Sequence, residues 1–450
     1  MNKSGPAHIE KLLLGITQNL LARGADSPLA AKRIYLFSKS IELKRRIGNS
    51  VDNPLTMPYN PDMLRRNIES SVRELAKGYP ALAITGPRQS GKTTLARAIF
   101  PDKPYVLLKD PDTRDLAESD PRGFLSKYKA GAILDEVQYC PNIISYLQGI
   151  IDETASPGRF ILTGSQQYGL LSGITESLAG RIALVVLLPF SLSELYHDAE
   201  PPSLDTVLFQ GMYPPIHDRH LDPTRWYANY VDTYLERDVR NLLNVRDITT
   251  FRRFVRLCAG RTGQLLNLSE LGSDAGISHN TAKAWISILE ASYVLHLLPP
   301  HHRNFNKRMI KSPKLYFFDS GLAAYLLGIQ ETAQLDVHPQ RGALFETAVV
   351  SELMKARLNK GLRSNLYFWR DRSGHEVDMV IESGGSLIPV EIKSGQTVVE
   401  DSLAGLRYWS ALAGTASASA FMIYGGDTNR TQQDIQVLSW KMSKTLHDAV

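Results

Sequence analysis

The chain has 450 residues, enough for two to four domains, and at 43% apolar and 22% charged it excludes a disordered, collagenous or low-complexity protein. Its longest apolar run, Ile182 to Phe190, has nine residues including a proline, far short of the about 20 needed for a membrane-spanning helix. Its two cysteines, Cys140 and Cys258, exclude a disulfide framework or a zinc cluster. That cysteine usage, and an N-terminus without an apolar leader and small-residue cleavage site, point to the cytoplasm with no integral membrane association. Net charge is +5 and uneven: residues 1–55 carry nine Lys/Arg against four Asp/Glu, and residues 216–330 carry fifteen against ten. A basic middle is the footprint of a nucleic-acid face or of an ordinary solvated surface.

Residues 1–56 read as an amphipathic extension of one or two basic helices that pack, fray, or touch a membrane surface, nucleic acid or partner. Residues 57–215 alternate helices with short apolar strands at Ala81–Thr85, Tyr105–Leu108, Ala132–Leu134, Phe160–Thr163 and Ala183–Leu188. That is the rhythm of a parallel α/β sheet.

The strongest chemical signal follows the first strand. Gly86-Pro87-Arg88-Gln89-Ser90-Gly91-Lys92-Thr93, with Thr94 next, is a complete G-x-x-x-x-G-K-[ST] phosphate loop between strand and helix. Gly86 and Gly91 let backbone N–H groups curl around phosphate oxygens, and the helix N-terminus adds its positive end. Lys92 neutralises β/γ oxygens, and Thr93 offers a hydroxyl to Mg²⁺. Downstream, a buried strand ends in Asp135-Glu136: Asp135 to hold the metal through water, Glu136 to polarise the attacking water. The next strand runs into Thr163-Gly-Ser165, where Ser165 can sense the γ-phosphate, with Thr163 or Gln166 as substitutes. Arg181 stands before the next strand, out of reach of its own loop but able to enter a neighbour's site as an arginine finger; the alternative is a surface arginine at a helix C-terminus.

AITGPRQSGKTTL, ILDEVQ, FILTGS and ESLAGR, in this order, resemble the prokaryotic AAA-type ATPases. GMYPP at 211–215, KSPKLYFFDSGLAAYLLG at 311–328, FWRDRSGHEVD at 368–378 and IPVEIKSG at 388–395 narrow the resemblance to a group whose C-terminal domain has been catalogued as of unknown function. The similarity spans about residues 57 to 440. It implies an AAA-type ATPase domain over 57–215, with ATP and Mg²⁺ as its ligands. Arg181 acting on a neighbour's site implies a homo-oligomer, a ring of six among its forms. It also implies that Gly211-Met212-Tyr213-Pro214 lies near the adenine, although the family usually has Gly-Gly-Tyr-Pro there.

Residues 216–330 read as mostly helical. Leu268–Leu289 spells helix, turn, helix, with Gly276 breaking the first helix and Ser278 capping the second. A hairpin follows, with strands at Tyr293–Leu298 and Lys314–Phe318 and the basic run Arg303, Lys307, Arg308, Lys311 and Lys314. This is a winged-helix pattern, and the wing with His279, Asn280 and Lys283 could face double-stranded DNA. Such segments also serve as ATPase lids or protein docks.

Residues 331–450 return to mixed α/β. A hairpin turning at Gly384-Gly385 places Asp378 opposite Glu391 and Glu376 opposite Lys393, all on one face. Opposed Cβ atoms are about 4.5–5.5 Å apart, a distance at which two carboxylates repel unless something, such as a divalent metal, lies between them. The arrangement resembles restriction-endonuclease-like PD-(D/E)XK domains. That resemblance implies Asp378 and Glu391 as metal carboxylates, Lys393 as the residue that positions water, and Glu346, on the preceding helix, as the additional acid. Two functions stay open: an ATPase coupled to a metal-dependent DNA nuclease, or a signalling or scaffold ATPase whose C-terminal domain only binds partners.

Overall fold

The structure, a computed structural model, describes residues 64–154, 156–165, 177–235, 247–301, 311–414 and 419–441. The N-terminal extension, Gln166, and the wing residues Arg303, Lys307 and Arg308 lie outside the described residues.

Helix α1 (Glu69–Gly78) leads into β1 (Ala81–Thr85), whose five residues are all buried. Such a strand needs cover on both faces, and it has it. Ala81 and Ala83 pack towards Ile143, Leu147 and Ile151, whereas Leu82 and Ile84 pack towards Ile68, Val72 and Leu95. Then come α2 (Lys92–Ile99), β2 (Tyr105–Leu107), α3 (Pro111–Ser119), α4 (Pro121–Ser126), β3 (Ala132–Asp135), α5 (Ile143–Glu153), β4 (Phe160–Thr163) and β5 (Ile182–Val186). The five strands are parallel in the order β2-β3-β4-β1-β5, so the ends of β3, β4 and β1 converge on one edge.

Short helices α6 (Leu192–Leu195), α7 (Leu204–Gln210), α8 (Pro214–Asp218) and α9 (Pro223–Tyr230) precede α10 (Ile248–Ala259). After β6 (Gln264–Leu265), α11 (Leu268–Ala275) ends at Gly276 with φ +74°, and α12 (His279–Ala291) is capped by the Ser278 hydroxyl, as the sequence predicts. Antiparallel β7 (Leu295–Leu298) and β8 (Lys314–Phe317) complete a three-stranded sheet in the order β6-β8-β7.

Helices α13 (Ser320–Leu326) and α14 (Arg341–Asn359) lead to β9 (Leu366–Arg370), β10 (Glu376–Ser383), β11 (Ser386–Lys393), α15 (Ala404–Ala413), β12 (Phe421–Tyr424), β13 (Arg430–Gln432) and β14 (Ile435–Ser439). Their sheet runs β13-β14-β12-β11-β10-β9. Met379 pairs with Val390 and Ser383 with Ser386, the register expected of the Gly384-Gly385 turn. One apolar cluster extends from Leu188 and Phe190 through Trp285 and Phe345 to Trp440, so residues on both sides of the expected boundaries at 215/216 and 330/331 share a core. Among the described residues no helix is long and apolar enough to cross a membrane.

Candidate nucleotide site and carboxylate cluster

The phosphate loop has the backbone its sequence demands. Gly86 has φ +143°, and a Cβ there would lie 2.1 Å from the Leu187 carbonyl oxygen, so only glycine fits. Gly91 has φ +94° and caps α2. Lys92 is buried, and its ammonium donates to the carbonyls of Gly86 at 3.0 Å and Pro87 at 2.7 Å. Pro87 and Ser90 are buried, Arg88 and Thr93 half-buried, and Gln89 and Thr94 exposed.

Beside the loop, the Thr93 hydroxyl donates to both Asp135 carboxylate oxygens at 3.0 Å. Asp135 ends β3 and is also the acceptor for the Thr163 hydroxyl, from β4, and for the Tyr105 phenol at 2.6 Å. Three hydroxyls around one buried carboxylate hold it in a single orientation. Tyr105 was not legible as a site residue; only the parallel pairing of β2 with β3 brings it there. Burial and its bond to Asp135 push the Tyr105 phenol well above the usual range. Glu136 follows in the left-handed region, φ +58°, and its carboxylate accepts from the Gln138 amide and, at 3.4 Å, from the Ser165 hydroxyl. Such a backbone is uncommon for a non-glycine residue and clusters at functional sites. The strands thus bring Lys92, Thr93, Asp135, Glu136 and Ser165 to one edge.

Arg181 is elsewhere. It immediately precedes β5, and Ile182 pairs with Ala81, so it stands at the amino end of the strands while the phosphate loop leaves their carboxyl end. There it is partly exposed and ion-paired with Asp152 at 2.5 Å. The Met212 N–H donates to Asp319 at 2.7 Å, and its carbonyl accepts from the Phe190 N–H, which ties the GMYP segment to the start of α13 and to the chain after β5.

Arg66, before α1, is a further residue the sequence does not signal. Its guanidinium donates to the Ser90 carbonyl of the phosphate loop at 2.8 Å and the Leu188 carbonyl at 2.7 Å, pairs with buried Glu194 at 3.2 Å, and lies over the Phe190 ring. It braces the loop against the chain leaving β5. Arg66→Ala is expected to cost about 3 kcal/mol in chemical denaturation, the low end for breaking a buried pair, because the Asn67 and Ser191 N–H groups still solvate Glu194. A loss under about 0.5 kcal/mol would remove Arg66 from this role.

In the C-terminal sheet, Asp378 and Glu391 stand as the register requires, each beside an ammonium. The Lys393 ammonium lies 2.5 Å from Glu391 and 3.5 Å from Asp378, and the Ile392 N–H donates to Asp378 at 2.9 Å. A second ammonium, Lys314 from β8, lies 2.5 Å from Glu376, 3.1 Å from Glu346 and 3.9 Å from Asp378. Lys314 therefore belongs to this cluster and is lost from the expected DNA-facing wing; the apolar strand around it turns its side chain inwards. The Tyr316 phenol also donates to Glu346. Burial, reinforced by Asp378, pushes Glu391 up to about 8 and Glu346 up to about 7. For both lysines burial opposes the charge, but the surrounding carboxylates outweigh it and hold them above the usual range. Among the described residues no group of three or more His, Cys, Asp or Glu has metal-holding geometry. As placed, the expected Asp378/Glu391 centre has Lys393 within 3.5 Å of both acids and Lys314 3.9 Å from Asp378, cations that oppose a divalent ion there, while Glu391 Oε2 is buried without a hydrogen-bond partner. Mg²⁺ at a phosphate loop needs only one or two protein ligands beside phosphate oxygens, and Thr93 with Asp135 suits that.

The parallel sheet and its phosphate loop define a P-loop ATPase domain of the AAA type, and residues 78–196 match the AAA domain family. Residues 201–333 and 341–442 match two domains of unknown function, DUF8612 and DUF4143. The chain belongs to the family of the uncharacterized proteins Rv2008c of Mycobacterium tuberculosis and Mb2031c of Mycobacterium bovis. Each is 32% identical to it over 337 residues, which cover 74% of this chain and 74% of the relative. Among solved structures, the Walker-type ATPase paby2304 of Pyrococcus abyssi is 17% identical, with a TM-score of 0.41, covering 59% of this chain and 96% of that one.

Proposed function

We propose that the protein is a Mg²⁺-dependent ATP hydrolase that works as a homo-oligomer. The observation that carries this reading is the meeting of Thr93 and Asp135 at 3.0 Å beside the loop that holds Lys92. Lys92 exchanges its contacts with the Gly86 and Pro87 carbonyls for β/γ oxygens. Thr93 and Asp135 are the residues that would hold Mg²⁺, which when bound neutralises phosphate charge and orients the nucleotide. Glu136, oriented by Gln138 and Ser165, polarises the attacking water, and Ser165 registers the γ-phosphate. Arg181 completes a neighbouring protomer's site.

The helix pair α11–α12 with the β7–β8 hairpin supports a winged-helix reading. His279, Asn280, Lys283 and Lys311 are exposed and remain available to a DNA backbone. The paired carboxylates support a nuclease-like fold without cleavage chemistry in this arrangement. They favour the scaffold or signalling ATPase over the coupled nuclease. Steady-state phosphate release from ATP tests the core reading: turnover with Mg²⁺, abolished by EDTA and restored by excess Mg²⁺, is expected. Equal turnover in EDTA would overturn it.

A further inference from the structure

The cation at the heart of the C-terminal carboxylates comes from another part of the chain. Lys314 lies on the central strand of the three-stranded sheet, with its backbone paired to Leu265 on one side and Leu298 on the other. Its side chain is 4% exposed, and the Phe368 ring lies under its ammonium. An ammonium can donate three hydrogen bonds, and three carboxylates stand within 4 Å of this one. Its sheet anchorage is reinforced where the chain after β7 joins β9: the His301 N–H donates to the Phe368 carbonyl, and the Phe368 N–H to the Pro299 carbonyl.

We propose that Lys314 is the built-in cation of the Glu346, Glu376, Asp378 and Glu391 cluster, and that it closes the cluster to divalent metal while clamping the middle segment onto the C-terminal sheet. A divalent ion placed among these oxygens would lie against the ammonium, and two like charges cannot share a buried site without strong repulsion. Lys393 adds a second ammonium, 2.5 Å from Glu391 Oε1 and 3.5 Å from Asp378, so Asp378 is met by cations from two sides, while Glu391 Oε2 is buried without a hydrogen-bond partner. The proposal extends beyond ATP hydrolysis and stands or falls separately from it.

The test is a Mn²⁺ titration of the full-length protein without nucleotide, read by electron paramagnetic resonance of the free ion. The titration is run on wild type, Asp378→Asn, Lys314→Met and the double variant, each first checked for a cooperative thermal melt. The expected result is that wild type and Asp378→Asn bind Mn²⁺ indistinguishably. Lys314→Met gains one further Mn²⁺, bound at least about tenfold more tightly than wild type binds any there, and the double variant loses it. Loss of a Mn²⁺ site on Asp378→Asn in the wild-type background overturns the proposal, as does a folded Lys314→Met that gains none. If Lys314→Met does not fold, Lys314→Gln takes its place, alone and combined with Asp378→Asn, and the same outcomes decide.

Discussion

Arg181→Ala is expected to lower kcat by about 10³- to 10⁵-fold at protein concentrations where the oligomer forms, with ATP binding retained; this is the range over which arginine fingers act. The reason is geometric. Ala81 pairs with Ile182, and β1 runs five residues before the phosphate loop begins. At about 3.3 Å per residue, that puts roughly 16 Å of strand between Arg181 and its own loop. The guanidinium is held at the surface by Asp152, at the end of α5, where another protomer can meet it. Mixing Arg181→Ala with Lys92→Ala protomers is expected to restore part of the activity, because some shared sites then contain an intact loop facing an intact arginine. An Arg181→Ala protein that hydrolyses ATP at the wild-type rate at every concentration would end the shared-site idea.

Glu136→Gln is expected to reduce kcat by about 10²- to 10⁴-fold, the usual weight of a positioned general base, while leaving the affinity for ATP within a few-fold of wild type. Glutamine preserves the size of the side chain and can still meet Gln138 and Ser165, so the loop and Asp135 keep their places. What it loses is the negative charge that draws a proton from water. Single-turnover hydrolysis alongside fluorescent-nucleotide binding separates the two effects. Loss of binding would make Glu136 a structural residue, and full turnover would move the base elsewhere.

The nucleotide site was largely legible in the sequence because its parts are local. Five apolar residues, a glycine loop and a lysine at the helix start fix strand, turn and helix within 20 positions, and Asp135-Glu136 ends the next buried strand. The β10–β11 register was legible for the same reason, since two glycines at the turn set every opposed pair. The unreadable parts are charges whose partners are distant in the chain. Arg66 reaches a carbonyl 122 residues later, and nothing beside it in sequence announces that contact. Lys314 sits in a run of basic residues, which reads as a solvated wing. Only the folding of β8 against α14 and β10 turns it onto Glu346, Glu376 and Asp378. The position of Arg181 at the amino end of the strands follows from strand direction, which the sequence carries locally.

ATP is expected to be bound and hydrolysed at the loop that carries Lys92. Equilibrium ATP binding and phosphate release by wild type and Lys92→Ala, measured side by side in Mg²⁺, test it most directly. Tight binding and turnover in the wild type, with both lost in Lys92→Ala while the thermal melt stays cooperative, is the predicted result. A Lys92→Ala protein that binds and hydrolyses ATP as the wild type does would contradict it.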